Sequence, residues 1–192
     1  MECPLAKGTL AVWDDSDAAL VQVSREGHAD AFGQLYQRYA RMVHGILLAK
    51  VPGADVEDLV HDVFLRALPR LRDLREASRF GGWLAAIARN MANDYYRQPR
   101  VHIECNDDFA NAEASATSTA QAEMRDAAEI LDRIRSLSEA YRETLILRLV
   151  EGMTGPEIAA KTGLSPGSVR VNLHRGMQQL REKFGEPRPE KK

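Results

Sequence analysis

Apolar residues recur at intervals of three and four through most of this chain, and one stretch without that rhythm separates two blocks that keep it. Phe32, Leu35, Tyr36, Tyr39, Val43, Ile46 and Leu47 mark a first stripe. Val56, Leu59, Val60, Val63, Phe64 and Leu68 mark a second, and Phe80, Trp83, Leu84, Ile87 and Met91 a third. Such spacing returns to one side of a helix every turn, whereas a half-buried strand alternates every second residue. No turn-bounded alternating segment is present. The expected fold is all-α, with two small helical domains joined by an acidic flexible linker, the C-terminal one a helix-turn-helix. The divisions fall at 1–16 (an N-terminal extension), 17–100, 101–124 (the linker), 125–186 and 187–192 (a tail).

The linker is set apart by its chemistry. Residues 101–124 carry no Lys or Arg and five acids, Glu104, Asp107, Asp108, Glu113 and Glu123. Residues 111–122 are Ala, Ser, Thr, Asn, Glu and Gln, which bury too little apolar surface to fold alone. Fully extended, the 24 residues of 101–124 reach roughly 80 Å at ~3.3 Å per residue. The chain's net charge of -2 therefore hides segregation. Both blocks, 17–100 and 125–192, are mildly basic, so a near-neutral sum does not exclude nucleic acid.

No window approaches the ~18 apolar residues of a membrane span, so no membrane insertion is expected. The first residues lack the apolar core of a signal peptide. Two cysteines, Cys3 and Cys105, do not make a disulfide scaffold. A cytoplasmic protein is the natural expectation.

Helix ends are punctuated in the sequence. Asp55 and Ser78 stand where N-caps of the second and third stripes belong, and Pro69 where the second should end. Ser138 is the candidate cap of a helix reaching about Val150, whose end is marked by Glu151-Gly152. Thr154 and Glu157 have the spacing of a capping box, and Gly163 that of a C-cap glycine. Ser165-Pro166 pairs an N-cap with proline at the first helical position.

Two short helices joined through Gly163 and Leu164 read as a helix-turn-helix whose second member enters the DNA groove. Val169, Leu173 and Leu180 form its expected buried face. Ser165, Gly167, Ser168, Arg170, Val171, Asn172, His174 and Arg175 are the candidate DNA-reading residues. No acid occurs between Ile158 and Arg181, as suits a helix lying between phosphate strands. Arg170 and Arg175 suit phosphate or guanine, Asn172 adenine, and Val171 a thymine methyl. The alternative is the solvated face of an ordinary helical hairpin.

Two further clusters stand out. Asp55, Asp58 and Asp62 are spaced to share a helix face, with Glu57 beside them. They serve either the helix dipole or a basic partner, and the dipole explains Asp62 poorly. From Arg70 to Arg100, arginines alternate with Phe80, Trp83, Tyr95 and Tyr96, a pattern suited to single-stranded DNA through charge and stacking. The helical spacing of Phe80 and Trp83 equally suits a core.

Four segments in order resemble a bacterial RNA polymerase sigma factor of the small extracytoplasmic-function type, in the sigma-70 family. Residues 30–39 read DAFGQLYQRY, residues 55–67 DVEDLVHDVFLRA and residues 80–90 FGGWLAAIARN, continuing to DYYR at 94–97. The fourth segment, 137–180, includes EIA at 157–159 and SVRVNLHR at 168–175. The resemblance implies that Asp55, Glu57, Asp58, Asp62 and Arg66 bind core RNA polymerase. It implies that Arg75, Arg79, Trp83, Asn90, Asp94, Tyr95 and Arg97 act at the minus-ten promoter element. The recognition helix would read the minus-thirty-five element, the acidic linker would thread a basic polymerase channel, and an anti-sigma factor would hold the protein inactive. The chain departs from the family pattern at Gly155-Pro156, Val171 and Asn172.

Three other readings compete. An autonomous helix-turn-helix regulator leaves residues 17–100 without a role. An enzyme would have to use His61 with Asp62, or His28 with Asp30, without a nucleophile or a Gly-rich phosphate loop. A metal or redox site would have Cys3, His102 and Cys105, one ligand short of the usual zinc set. No cofactor and no catalytic residue is expected.

Overall fold

The computed structural model describes residues 16–97 and 128–185. Among them the secondary structure is helical, with no strand. The first unit holds α1 (Asp17–Arg25), α2 (Ala29–Leu48), α3 (Val56–Arg70) and α4 (Phe80–Tyr95). The second holds α5 (128–135), α6 (Glu139–Leu149), α7 (Gly155–Thr162) and α8 (Pro166–Lys183). The extension up to residue 15, the linker, the tail, Cys3, His102 and Cys105 lie outside the described residues.

In the first unit, α2 is the central helix. Its stripe buries Leu35, Tyr39, Val43, Ile46 and Leu47 against α1, α3 and α4. Phe80 is fully buried, and its ring meets Tyr39 edge-on at 5.1 Å between centroids. Phe80 is therefore core, as its helical spacing allows. The Tyr39 hydroxyl donates to Asp17, and burial together with that bond pushes the phenol far above its usual ionisation range.

Several caps differ from the sequence expectation. Asp55 does sit at the N-cap of α3, but its side chain caps no backbone group. Its carboxylate instead accepts from the Tyr95 hydroxyl at 2.5 Å. Ser78 does not cap α4, because a 3-10 turn, Ala77–Arg79, runs straight into it. The Phe80 amide there bonds to the Ala77 carbonyl rather than to the Ser78 hydroxyl. Helix α3 continues through Pro69 to Arg70. Proline so near a C-terminus removes only one hydrogen bond, and burial of Ala67 and Leu71 on either side keeps the chain coiled. Ser138 holds the N-cap of α6 through its backbone carbonyl, which accepts from the amides of Tyr141 and Arg142, rather than through its hydroxyl.

The second unit follows its punctuation closely. Thr154 and Glu157 form the reciprocal capping box, and Gly163 ends α7 at φ 75°. The Ser165 hydroxyl oxygen accepts from the Ser168 amide at 3.1 Å, with Pro166 opening α8. Val169, Gly176 and Leu180 are the buried side of α8, whereas Leu173 is only half-buried.

The two units touch along one seam. Helix α6 lies on α2, and α7 lies on α4. Leu147 is fully buried and fills the space where a side chain at position 45 would stand.

Candidate promoter and polymerase interface

Three of the expected clusters lie on exposed surfaces that different elements hold in place. The helix-turn-helix is fixed by the box at Thr154, the left-handed glycine at 163 and the cap at Ser165. Its outer side presents Ser165, Gly167, Ser168, Arg170, Val171, His174 and Arg175 to solvent, with Asn172 half-buried. Val171 is 43% exposed, an apolar side chain on an otherwise polar face. Gly155 and Pro156 start α7 and help line an apolar groove with Ala159, Leu164, Val169 and Leu173. Proline at this position suits a first turn, where its missing amide would have had no helical partner.

The acidic cluster divides. Glu57, Asp58, Asp62 and Arg66 are all exposed on α3. Positions 58, 62 and 66 follow one another by single turns along one side. Leu65, 68% exposed, stands beside them. Asp55 is held apart, half-buried and bonded to Tyr95.

The arginine-aromatic segment also divides. Arg75, Arg79, Asn90 and Arg97 are exposed, whereas Trp83, Asp94 and Tyr95 are half-buried. Trp83 packs on Phe80 with centroids 5.9 Å apart. Tyr95 meets Tyr96 edge-on at 5.0 Å, and the Tyr96 hydroxyl donates to the Lys50 carbonyl. Arg75, Arg79 and Trp83 line one cavity of about 620 Å³, and its far wall is Ala160 and Gly163 of the second unit.

The pairs considered for acid-base chemistry are not assembled. His61 faces the Glu57 carbonyl at 2.9 Å and the Tyr36 hydroxyl at 3.5 Å, neither of them Asp62. His28 occupies the N-cap of α2. Among the described residues no cluster of His, Cys, Asp and Glu could hold a metal ion, and no helix is long and apolar enough to cross a membrane.

Polar residues at the seam were not foreseen. Arg89 donates from Nε and Nη2 to the two carboxylate oxygens of Glu143, at 2.9 and 2.7 Å. This bidentate bond raises the Arg89 pKa further. His44 meets Glu151 at 2.6 Å and Glu57 at 3.6 Å. The Glu151 hydrogen bond raises the His44 pKa, against the opposing effect of burial. A sequence signal existed for both acids: Glu143 stands two residues before the apolar run that starts at Leu145, and Glu151 directly follows Val150 at its end.

Residues 35–101 match the family model for sigma-70 region 2, and residues 127–180 match that for sigma-70, region 4. The RNA polymerase sigma factor CarQ of Myxococcus xanthus is 36% identical over 166 residues, spanning 84% of this chain and 94% of CarQ. The ECF RNA polymerase sigma-E factor of Escherichia coli is 30% identical over 179 residues, spanning 88% and 94%. The chain belongs to the extracytoplasmic-function sigma factors of RNA polymerase. The sigma factor also resembles, at a TM-score of 0.62 and 27% identity, the structure of CnrH in complex with the cytosolic domain of CnrY. That likeness covers 89% of this chain and 98% of CnrH. The first helical unit is thus the region 2 part of the sigma factor, and the helix-turn-helix is its region 4 part.

Proposed function

We propose that this sigma factor docks on core RNA polymerase through α3 and reads promoter DNA with α4 and α8. The observation that carries the reading is a separation of surfaces. An exposed acidic face with an apolar neighbour, Glu57, Asp58, Asp62, Arg66 and Leu65, lies on one helix. A solvent-facing helix without an acid between Ile158 and Arg181 lies on another. Acids ringing an exposed leucine suit a basic, partly apolar protein surface. A recognition helix with no acid before Glu182 suits DNA. Asp55 takes part in docking by fixing the start of α3 through Tyr95.

In this reading residues 17–100 and 125–186 are the two working units. Arg75, Arg79, Trp83, Asn90, Asp94, Tyr95 and Arg97 act at the minus-ten element, through phosphate charge and stacking on opened bases. Ser165, Gly167, Ser168, Arg170, Val171, Asn172, His174 and Arg175 act at the minus-thirty-five element. The protein works in the cytoplasm, carries no catalytic residue and needs no cofactor. CnrH is seen with the cytosolic domain of CnrY, and this chain is likewise held by an anti-sigma partner. A regulator acting alone on duplex DNA would leave the exposed acidic face of α3 without a role.

The test is capture of core polymerase by Asp58→Arg and Asp62→Arg. Both side chains are exposed, so the fold should survive while capture falls. Undiminished capture would remove the docking assignment.

A further inference from the structure

Neither the docking nor the promoter assignment gives helix α1 a task, yet α1 is firmly fixed. At its start Asp17 accepts from Arg38 at 3.0 Å and from the Tyr39 hydroxyl, both on α2. Along its length Leu20 and Val21 are fully buried. At its end Arg25 reaches out of the helix to the segment that joins α3 to α4. Its Nε donates to the Leu71 carbonyl at 2.9 Å, and its Nη2 donates to the Leu74 carbonyl. Its Nη1 donates to the Gln22 side chain at 3.2 Å, one turn back on α1, which orients the guanidinium. A basic residue in a last helical turn ordinarily answers that helix's own dipole. This guanidinium is engaged instead by carbonyls 46 and 49 residues away.

The joining segment has little to hold it from within. It consists of two 3-10 turns, Leu71–Asp73 and Ala77–Arg79, with residues 74–76 between them in no regular structure. Its backbone bonds close each turn separately. The Leu74 amide donates to the Leu71 carbonyl at 3.3 Å, and the Arg79 amide to the Glu76 carbonyl at 2.9 Å. Leu71 and Leu74 are buried, and a shielded carbonyl without a partner is costly. Arg75 and Arg79, two of the proposed minus-ten residues, are carried exposed on this segment. Leu74, Arg75, Arg79 and Trp83 line the same cavity.

A guanidinium presents its donors in one rigid plane, so a two-point bond fixes the spacing and angle of the carbonyls it joins. A segment ordered in advance loses less freedom when it binds. We propose that Arg25 is a positioning residue for minus-ten recognition, holding residues 71–79 so that Arg75 and Arg79 meet DNA in one arrangement. The inference rests on the minus-ten assignment above. A slack segment would keep its positive charge, and so most of its attraction to phosphate, while losing discrimination between bases.

The test uses the full chain with core polymerase. The templates are a promoter fragment that gives a run-off transcript with the two together, and its single-base minus-ten variants. In Arg25→Ala the ratio of transcription from preferred over disfavoured variants should fall about tenfold, the scale of a charged hydrogen-bond pair. Capture of core polymerase should not change. A simple loss of folded protein would lower every template alike and leave that ratio where it was. Hydrogen exchange read by mass spectrometry should quicken in residues 71–79 and stay at the parent rate in α2 and α4. Arg25→Lys keeps the charge but is a point donor that cannot span two carbonyls. It should fall between the parent and Arg25→Ala on both measures, and it carries the test if Arg25→Ala does not fold. An unchanged ratio in a variant whose segment exchanges faster would overturn the proposal. So would parent-like exchange in the segment. Failure of the minus-ten assignment shows differently: Arg75→Ala and Arg79→Ala would leave the parent's base preference unchanged, and the inference would fall with it.

Discussion

The Tyr95 hydroxyl donates to the Asp55 carboxylate at 2.5 Å, tying the end of α4 to the start of α3. A residue proposed to work at the minus-ten element thus anchors one proposed to support polymerase docking. The bond joins a neutral phenol to a half-buried carboxylate. Tyr95→Phe should therefore lower the unfolding free energy by about 1–2 kcal/mol, read by urea denaturation. It should also weaken polymerase capture while Asp58 and Asp62 remain intact. Unchanged stability and unchanged capture would dismiss the anchor.

A pH effect follows from His44, whose neighbours are Arg41, Glu57 and Glu151 in a pocket with Tyr36 and Val60. The Glu151 hydrogen bond raises its pKa in the folded chain. The protonated imidazole therefore contributes fully below the ordinary histidine value, about 6.5, and that contribution fades as pH rises through the higher folded value. The side chain is about one-quarter exposed (28%), so the effect should be no more than about 1 kcal/mol. Thermal melts from pH 6 to 8.5 should show a loss of stability that His44→Gln flattens. A slope that persists in His44→Gln would assign the effect elsewhere.

Gly163 is the strictest backbone requirement of the helix-turn-helix. At φ 75° a side chain is strained, and a Cβ there would also press on the Gly82 Cα at 3.2 Å. Gly163→Ala should cost about 1–2 kcal/mol. It should also loosen the seam, detected as a lower midpoint of denaturation and a broader distance between the units.

Arg170 and Arg175 are both exposed on α8. Replacing either with Ala should weaken promoter use by about 1–3 kcal/mol and relax one base position if it reads a base. If it meets phosphate, the loss should be uniform across sequences and the salt slope should drop by about one. Binding measured across salt concentrations and single-base promoter variants separates the two.

Much of this was legible in the sequence because it is local. The capping box at Thr154, the left-handed Gly163 and the Ser165-Pro166 start all follow from chemistry within a few residues, and all three are present. Stripes such as Leu35–Tyr39–Val43 name their own buried face. What was not legible depends on partners far away in the chain. Asp55 looked like a cap because its partner, Tyr95, is 40 residues off. Ser78 failed as a cap because a preceding turn had already satisfied the Phe80 amide. The seam was invisible for the same reason. Arg135 and Arg142 carry no local mark showing that they donate to the carbonyls of Leu48, Ala49 and Val51 at the end of α2.

That this chain gives polymerase its promoter choice is tested by run-off transcription with core polymerase on a library of bacterial promoter fragments. Discrete transcripts are expected from a subset sharing spaced minus-thirty-five and minus-ten elements. They should depend on both core enzyme and this protein, and be lost with Asp58→Arg. Core-independent, tight and specific binding to a single operator-like site, with no transcript gained on adding the protein, would contradict it.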